Sequence, residues 1–272
     1  NFLNKLWNAN NFLIQNKCTL KISKKIPKPK VNINKWILSE LLEASNLIKK
    51  NIKDYRFDEA AKNAYHFAWH TYCDWYLELS KTILYSNNTK AKTEVKEVST
   101  FIFGQILILL HPFIPFVTEK IWLLNKFDQN GKNFLMLSNW ISGKSKKDTD
   151  FHQVNKIIDI ISNIRSFKNE LNVSPGSFVD ISIHNIKKNN QSFVMNNEII
   201  MKKLGRINNF FKKDQNRPSA SLIISGDLFK IYFDENVDLN VIKENLLKRQ
   251  NKYREEMDKI SQRLSNKGFV QR

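Results

Sequence analysis

The sequence predicts a mainly α protein, in which a helical bundle over residues 1–145 is followed by a small α+β subdomain over 146–236 and a coiled-coil helix over 237–272. Three observations carry this reading. Apolar residues recur every three or four positions through about residue 140, which is the helical period. That period gives way to strand-like alternation in "FVDISIHN", "SASLIIS" and "LFKIYFD". The chain then closes on a charged stretch in which Leu239, Leu246, Tyr253 and Ile260 repeat every seven residues.

The first element runs to about residue 17, where Phe2, Leu3, Leu6, Trp7, Phe12 and Leu13 fall at helical spacing between Asn and Lys. "KKIPKPK" ends it, because Pro27 and Pro29 forbid continued helix and the lysines favour solvent. Asn34 is placed to cap a second helix through Trp36, Leu41, Leu42 and Ile48, and a longer one is expected from Asp54 to Ser80. After the polar "SNNTK", a buried helix is expected over Thr93 to Leu110, with a short continuation from Pro112 to Leu124. Up-and-down packing of these helices makes a bundle. Beyond it, a helix over Phe151 to Leu171 stops before "VSPGSF", and another near Phe193 to Leu204 lies between the strands. The final helix carries a narrow apolar stripe, flanked by Ile242, Met257 and Leu264, that wants one partner helix, and Gly268 ends it.

A hydrophobic content of 42%, with six Trp and 19 Phe, is ample for a buried interior, so disorder is not the default expectation. The net charge of +18 favours a polyanionic partner, because clustered Lys and Arg release counterions when they neutralise phosphates. Heavy use of Asn, Lys and Ile, as in "KKNNQSFVMNNEIIMKK", supplies the competing reading of lysine spread over solvated faces. Two cysteines, Cys18 and Cys73, make no disulfide scaffold and suit reduced thiols in a cytoplasm. The longest apolar run is interrupted by His111, Pro112 and Pro115, so no membrane span is expected. A chain that opens on Asn1 and enters an amphipathic helix at once is expected to be a piece of a longer protein, without a signal peptide.

No stretch spells an active site. "KISKK" (residues 21–25) resembles a lysine phosphate loop, yet no glycine-rich cradle or βαβ pattern accompanies it. His66, His70 and Cys73 stand at i, i+4 and i+7, a spacing open to zinc, but packed core residues among Trp69 and Tyr76 explain it more simply. Asp74 and Glu78 share a helical face and read as partners for lysines on a neighbouring helix rather than as an acid/base pair. Catalytic residues, metal and cofactor are therefore expected to be none. Basic rows are more suggestive: Arg165 and Lys168 lie one turn apart, and Lys248, Arg249, Lys252, Arg254, Lys259 and Arg263 line the last helix. Glu244, Glu255, Glu256 and Asp258 on that helix leave open a merely salt-bridge-laced surface.

In order along the chain, "NFLNKLWNANNF" (1–12), "YRFDEAAKNAYHFAWHTYCDWYLELSK" (55–81), "HPFIPFVTEKIW" (111–122), "IISNIRSFKNELNVSPG" (160–176) and "LSNKGFVQR" (264–272) resemble the valyl-tRNA synthetase family of class I aminoacyl-tRNA synthetases. The resemblance implies a helical anticodon-binding domain, a small α+β connection and one arm of a helical hairpin whose return helix is missing. It implies that the catalytic and editing domains precede Asn1, so that this piece is inactive and needs no cofactor, and that "KISKK" is a decoy, since the family's phosphate loop comes earlier. The implied partner is tRNA(Val), in a cytoplasmic and monomeric parent enzyme, with self-association of the piece through its uncovered stripe. On the anticodon side the matched residues are Asn4, Lys5, Asn8 and Asn11, with Asn8 facing the anticodon loop and Asn11 standing where relatives commonly carry a basic residue. On the backbone side they are Arg165, Lys168, Lys248, Arg249, Lys252 and Arg263. Trp7, Trp69, Trp75, Trp122 and His111 also match and are expected mostly in the core. An isoleucyl or leucyl relative stays open, as does a coiled-coil interaction module without RNA specificity.

Overall fold

The computed structural model describes residues 1–18, 25–127, 134–233 and 239–265, with the side chains of Leu239, Ile242 and Arg249 left out. Of "KISKK", Lys21, Ile22, Ser23 and Lys24 lie outside the described residues, as do Gly268 and the four residues after it. The chain is mainly helical, as expected, and divides into two units, Asn1–Ile158 and Asp159–Arg272.

The first unit is organised around one helix. Seven helices, among the described residues, contribute to it: α1 (Phe2–Gln15), α2 (Asn32–Lys53), α3 (Phe57–His66), α4 (Leu77–Leu84), α5 (Thr89–Leu110), α6 (Pro115–Leu124) and the opening turns of α7 (Thr149–Glu170). From Val98 to Leu110 every residue of α5 is buried, which is the signature of a helix apolar on all faces and surrounded by others. Asn88 caps it, its side chain accepting from Ala91 N at 3.1 Å. Against α5 pack Leu6 and Leu13 of α1, Ile37, Leu41 and Ile48 of α2, and Ile121 and Trp122 of α6, all buried.

Three local expectations change. Asn34 does not cap α2 but sits wholly buried in its first turn, because Glu94 of α5 supplies the cap: its Oε1 accepts from Lys30 N at 3.0 Å, Val31 N at 2.9 Å and Asn34 Nδ2 at 2.9 Å. The helix expected from Asp54 begins at Phe57, after a left-handed turn at Tyr55 (φ 58°), and between α3 and α4 it loosens into a π-helical stretch, Phe67–Tyr76. The continuation expected from Pro112 begins at Pro115, where a proline at the first helical position gives up no hydrogen bond.

The second unit holds a four-stranded sheet in the order β2-β1-β4-β3, with β1 (Val179–Ser182), β2 (Ile207–Phe211), β3 (Ala220–Ile224) and β4 (Asp227–Phe233). β1 and β2 are parallel and joined through α8 (Lys188–Asn196) and α9 (Glu198–Gly205), whereas β4 is antiparallel to both β1 and β3. Ser225 and Gly226, both at positive φ, make the tight β3–β4 hairpin. Ile160, Ile161 and Ile164 of α7 are buried in this unit together with Val179, Ile181, Val194, Met201, Ile207 and Ile231. β2 was not expected from its sequence, since Asn208 and Asn209 interrupt any apolar alternation. Finally, α10 (Leu239–Ser265) exposes Leu246, Leu247, Tyr253, Met257, Ile260 and Leu264. Among the described residues no helix is long and apolar enough to cross a membrane.

Candidate nucleic-acid interface

Helix α1 turns Leu6, Ala9, Asn10 and Leu13 inward, and Asn10 is fixed there by Asn125, the residue that follows α6, whose Nδ2 donates to Asn10 Oδ1 at 2.5 Å. The opposite face is open. Asn4 and Asn8 are exposed one turn apart and Asn11 is half-buried beyond them. None of these three amides has a hydrogen-bond partner among the described residues, so each offers one carbonyl and one NH2 to whatever approaches. Leu3 and Trp7 lie on the same surface, Trp7 at 39% exposure. Trp7 was expected in the core, and this is a correction: its helical spacing matches Leu6 and Leu13, but the buried arc of α1 is narrower than the spacing suggests. Trp122 is buried as expected, while Trp69 and Trp75 are half-buried.

Lys5 differs from its three neighbours in being tied down. Its ammonium pairs with Asp74 and lies 3.9 Å from the centre of the Trp69 ring. Trp69 and Asp74 are five residues apart, which in an α-helix would set them about 140° apart on different faces. The π-helical winding of Phe67–Tyr76 brings them to one side, and Lys5 meets both. Around this contact Phe2, Tyr65 and Trp69 form a ring cluster with centroids 4.9 to 5.9 Å apart, and Tyr65 is 39% exposed. His70 Nδ1 lies 3.2 Å from Asp74 Oδ2.

The same winding corrects the reading of His66, His70 and Cys73 as packed core. Both histidines are exposed, with ring centroids 5.1 Å apart, and only Cys73 is withdrawn, burial pushing its thiol up to about 12. Among the described residues no three His, Cys, Asp or Glu side chains are arranged to hold a metal ion. Burial pushes Cys18 up as well, to about 11, so neither cysteine is a ready nucleophile.

The backbone-side residues fare unevenly. Arg165 is exposed, but its Nε and Nη2 donate to the Leu204 carbonyl at 3.1 and 2.7 Å, closing the end of α9 before Arg206 takes the left-handed conformation (φ 55°). Lys168 is 2% exposed and donates to the Ser177 carbonyl. Burial, then the nearby Arg206 and Arg165, hold its ammonium below the usual lysine range. Its charge is directed at the loop before β1 rather than at solvent. On α10, Lys248, Lys252 and Arg263 are exposed, Lys252 standing 4.0 Å from Glu256, while the side chain of Arg249 lies outside the described residues.

Exposed unpaired amides beside a partly exposed indole can hydrogen-bond and stack on unstacked bases, the chemistry of single-stranded RNA recognition. Sequence reasoning missed Trp7 as a member of this surface, and missed the exposure of Tyr65 in the neighbouring ring cluster. Their repetition at helical spacing is also what a core would show.

With this geometry in view, the model of the anticodon-binding domain of tRNA ligase matches residues 34–183. Over 272 residues the chain is 67% identical to valine–tRNA ligase of Pelagibacter ubique (strain HTCC1062), covering all of this chain and 31% of that protein. It is 33% identical over 279 residues to valine–tRNA ligase of Zymomonas mobilis, with 100% and 31% covered, and 32% identical over 273 residues to that of Bartonella quintana, with 100% and 30% covered. The chain thus spans about a third of the length of the curated relatives it matches.

Proposed function

Since the chain belongs to the family of anticodon-binding domains of tRNA ligases, we propose that it is the tRNA-reading portion of a valine–tRNA ligase, recognising the anticodon stem-loop of tRNA(Val). The observation that carries the reading is the outward face of α1, where Asn4, Asn8 and Asn11 have no hydrogen-bond partner among the described residues and Trp7 is exposed. Asn8 reads a base edge, Trp7 offers a stacking surface, and Lys5 is held by Asp74 and Trp69 at the border of the face. Exposed lysines of α10 add sequence-independent attraction to phosphates. Ligation of valine, with its ATP chemistry and editing, belongs in this proposal to parts of a cytoplasmic enzyme that the chain does not contain, so the isolated chain carries no ATP–pyrophosphate exchange.

Fluorescence anisotropy against tRNA(Val), the same tRNA with a substituted anticodon, and tRNA(Ile) tests the reading. Preference for tRNA(Val) that collapses on anticodon substitution supports it, and equal salt-sensitive binding to all three refutes it. In Asn8→Ala the preference should fall by about 1–3 kcal/mol, the worth of one well-placed base contact.

A second reading rests on the apolar stripe of α10, where Leu246, Met257, Ile260 and Leu264 are exposed. Such a stripe on a charged helix pairs with a second helix, and the isolated chain covers it by self-association.

A further inference from the structure

One end of the small sheet gathers positive charge that the α1 face and α10 do not account for. β1 and β2 run parallel and so leave the sheet at the same end. Beyond it their following loops stay side by side: Ile183 N donates to the Phe211 carbonyl at 2.9 Å, and His184 Nδ1 lies 3.2 Å from the Lys212 carbonyl oxygen. The first loop carries Lys187 and runs into α8 at Lys188, and the second carries Lys212 and Lys213; all four are exposed and, among the described residues, in no ion pair.

The carboxylates that would neutralise them are turned to other tasks. Asp214 accepts from Ser182 Oγ at 2.7 Å, from Asn185 Nδ2 at 3.4 Å and from the ammonium of Lys230. Those contacts, Lys230 foremost, hold its carboxyl below the usual range. Asp227, 5% exposed, accepts from the backbone N of Lys187 at 3.2 Å and from the Asn190 side chain. Asp159 accepts from Ser225 Oγ at 3.1 Å, at the β3–β4 turn on the other side of the sheet order. The acids fold the loops and the lysines are left outward. Ammonium groups without an exposed aromatic anchor among them suit a row of phosphates rather than a protein interface.

We propose that Lys187, Lys188, Lys212 and Lys213 form a second RNA contact surface, which takes the sugar-phosphate backbone of the bound tRNA without reading its sequence. The inference rests on the tRNA-binding reading above and adds to it a site outside the anticodon.

The test compares the full chain with a variant carrying Gln at all four positions, and with a control carrying Gln at Lys49, Lys50, Lys53 and Lys90, four exposed lysines of the first unit. Binding to tRNA(Val) and to its anticodon-substituted form is titrated over a range of salt, with circular dichroism confirming the fold. The sheet-end variant should flatten the dependence of log K on log salt by about one for each lysine that meets a phosphate, with the preference between the two RNAs unchanged. The control should keep the original slope. An unchanged slope in the sheet-end variant, equal flattening in the control, or loss of anticodon preference each overturns the inference while leaving the anticodon reading intact. A parent chain that binds neither RNA removes that reading and this inference together.

Discussion

Replacing Tyr76 by Phe deletes one oxygen from the centre of the bundle, and the structure says what that oxygen holds. The Tyr76 hydroxyl, fully buried, donates to Asn34 Oδ1 at 2.7 Å, and Asn34 Nδ2 donates to Glu94 Oε1, the carboxylate that caps α2. Ser99 Oγ lies 3.2 Å from that hydroxyl but gives its proton to the Val95 carbonyl at 2.6 Å, so it is no substitute donor for Asn34. Tyr76→Phe therefore strands a wholly buried amide oxygen, at a cost of about 1–3 kcal/mol. Tyr72→Phe is the internal control. Its hydroxyl reaches the Ser99 carbonyl at 3.0 Å, an oxygen that the α5 ladder already satisfies, so only an ordinary bond of about 0.5–1.5 kcal/mol is lost. All six tryptophans fall at or before Trp140, inside the first unit, so urea denaturation followed by tryptophan fluorescence reports on that unit alone. A Tyr76→Phe midpoint shift worth less than about 0.5 kcal/mol, the usual range of an inconsequential change, refutes the argument, as does a larger loss in Tyr72→Phe.

Trp7→Ala should weaken tRNA(Val) binding by about 1–3 kcal/mol, the worth of a stacking contact, with little change in unfolding, and equal affinity for both proteins in anisotropy removes Trp7 from the interface. Lys168 binds its proton less readily folded than unfolded, so the unfolded chain holds more protons between the two values and stability rises with pH. Circular dichroism melts should show that rise as pH climbs towards the ordinary lysine value near 10.4, and Lys168→Met should abolish it without altering the salt dependence of RNA binding. Met257→Glu with Ile260→Glu should eliminate concentration-dependent association in sedimentation velocity, whereas a parent chain that stays monomeric at high concentration discards the self-pairing reading of α10.

Much of the fold is written where burial is one-sided or complete. The unbroken apolar run of α5 and the repeat in α10 are readable because nothing competes with the helical period there. β2 is hidden because two of its five residues are asparagines, and strand pairing with β1 rather than its own pattern makes it a strand. Asn34 reads as a cap because its residue type prefers that place, and only Glu94, 60 positions later, reveals another cap. The candidate site shows the same division. Asn8 and Asn4 were identified through resemblance, and the structure places them outward on one face. The burial of Lys168 is not legible in the sequence, because a lysine's type announces charge and says nothing of whether its long stem carries that charge inward.

The π-helical stretch from Phe67 to Tyr76 has a bearing on how such chains are compared. A π turn closes on the fifth residue rather than the fourth, so it fits extra residues into a given span between α3 and α4. Two homologous chains can then differ in length here while the helices on either side keep their facing. An alignment that forbids a gap inside a helix will push that difference into a neighbouring loop. It will shift residues such as Trp69 and Asp74 out of step, and misname the very positions that hold Lys5.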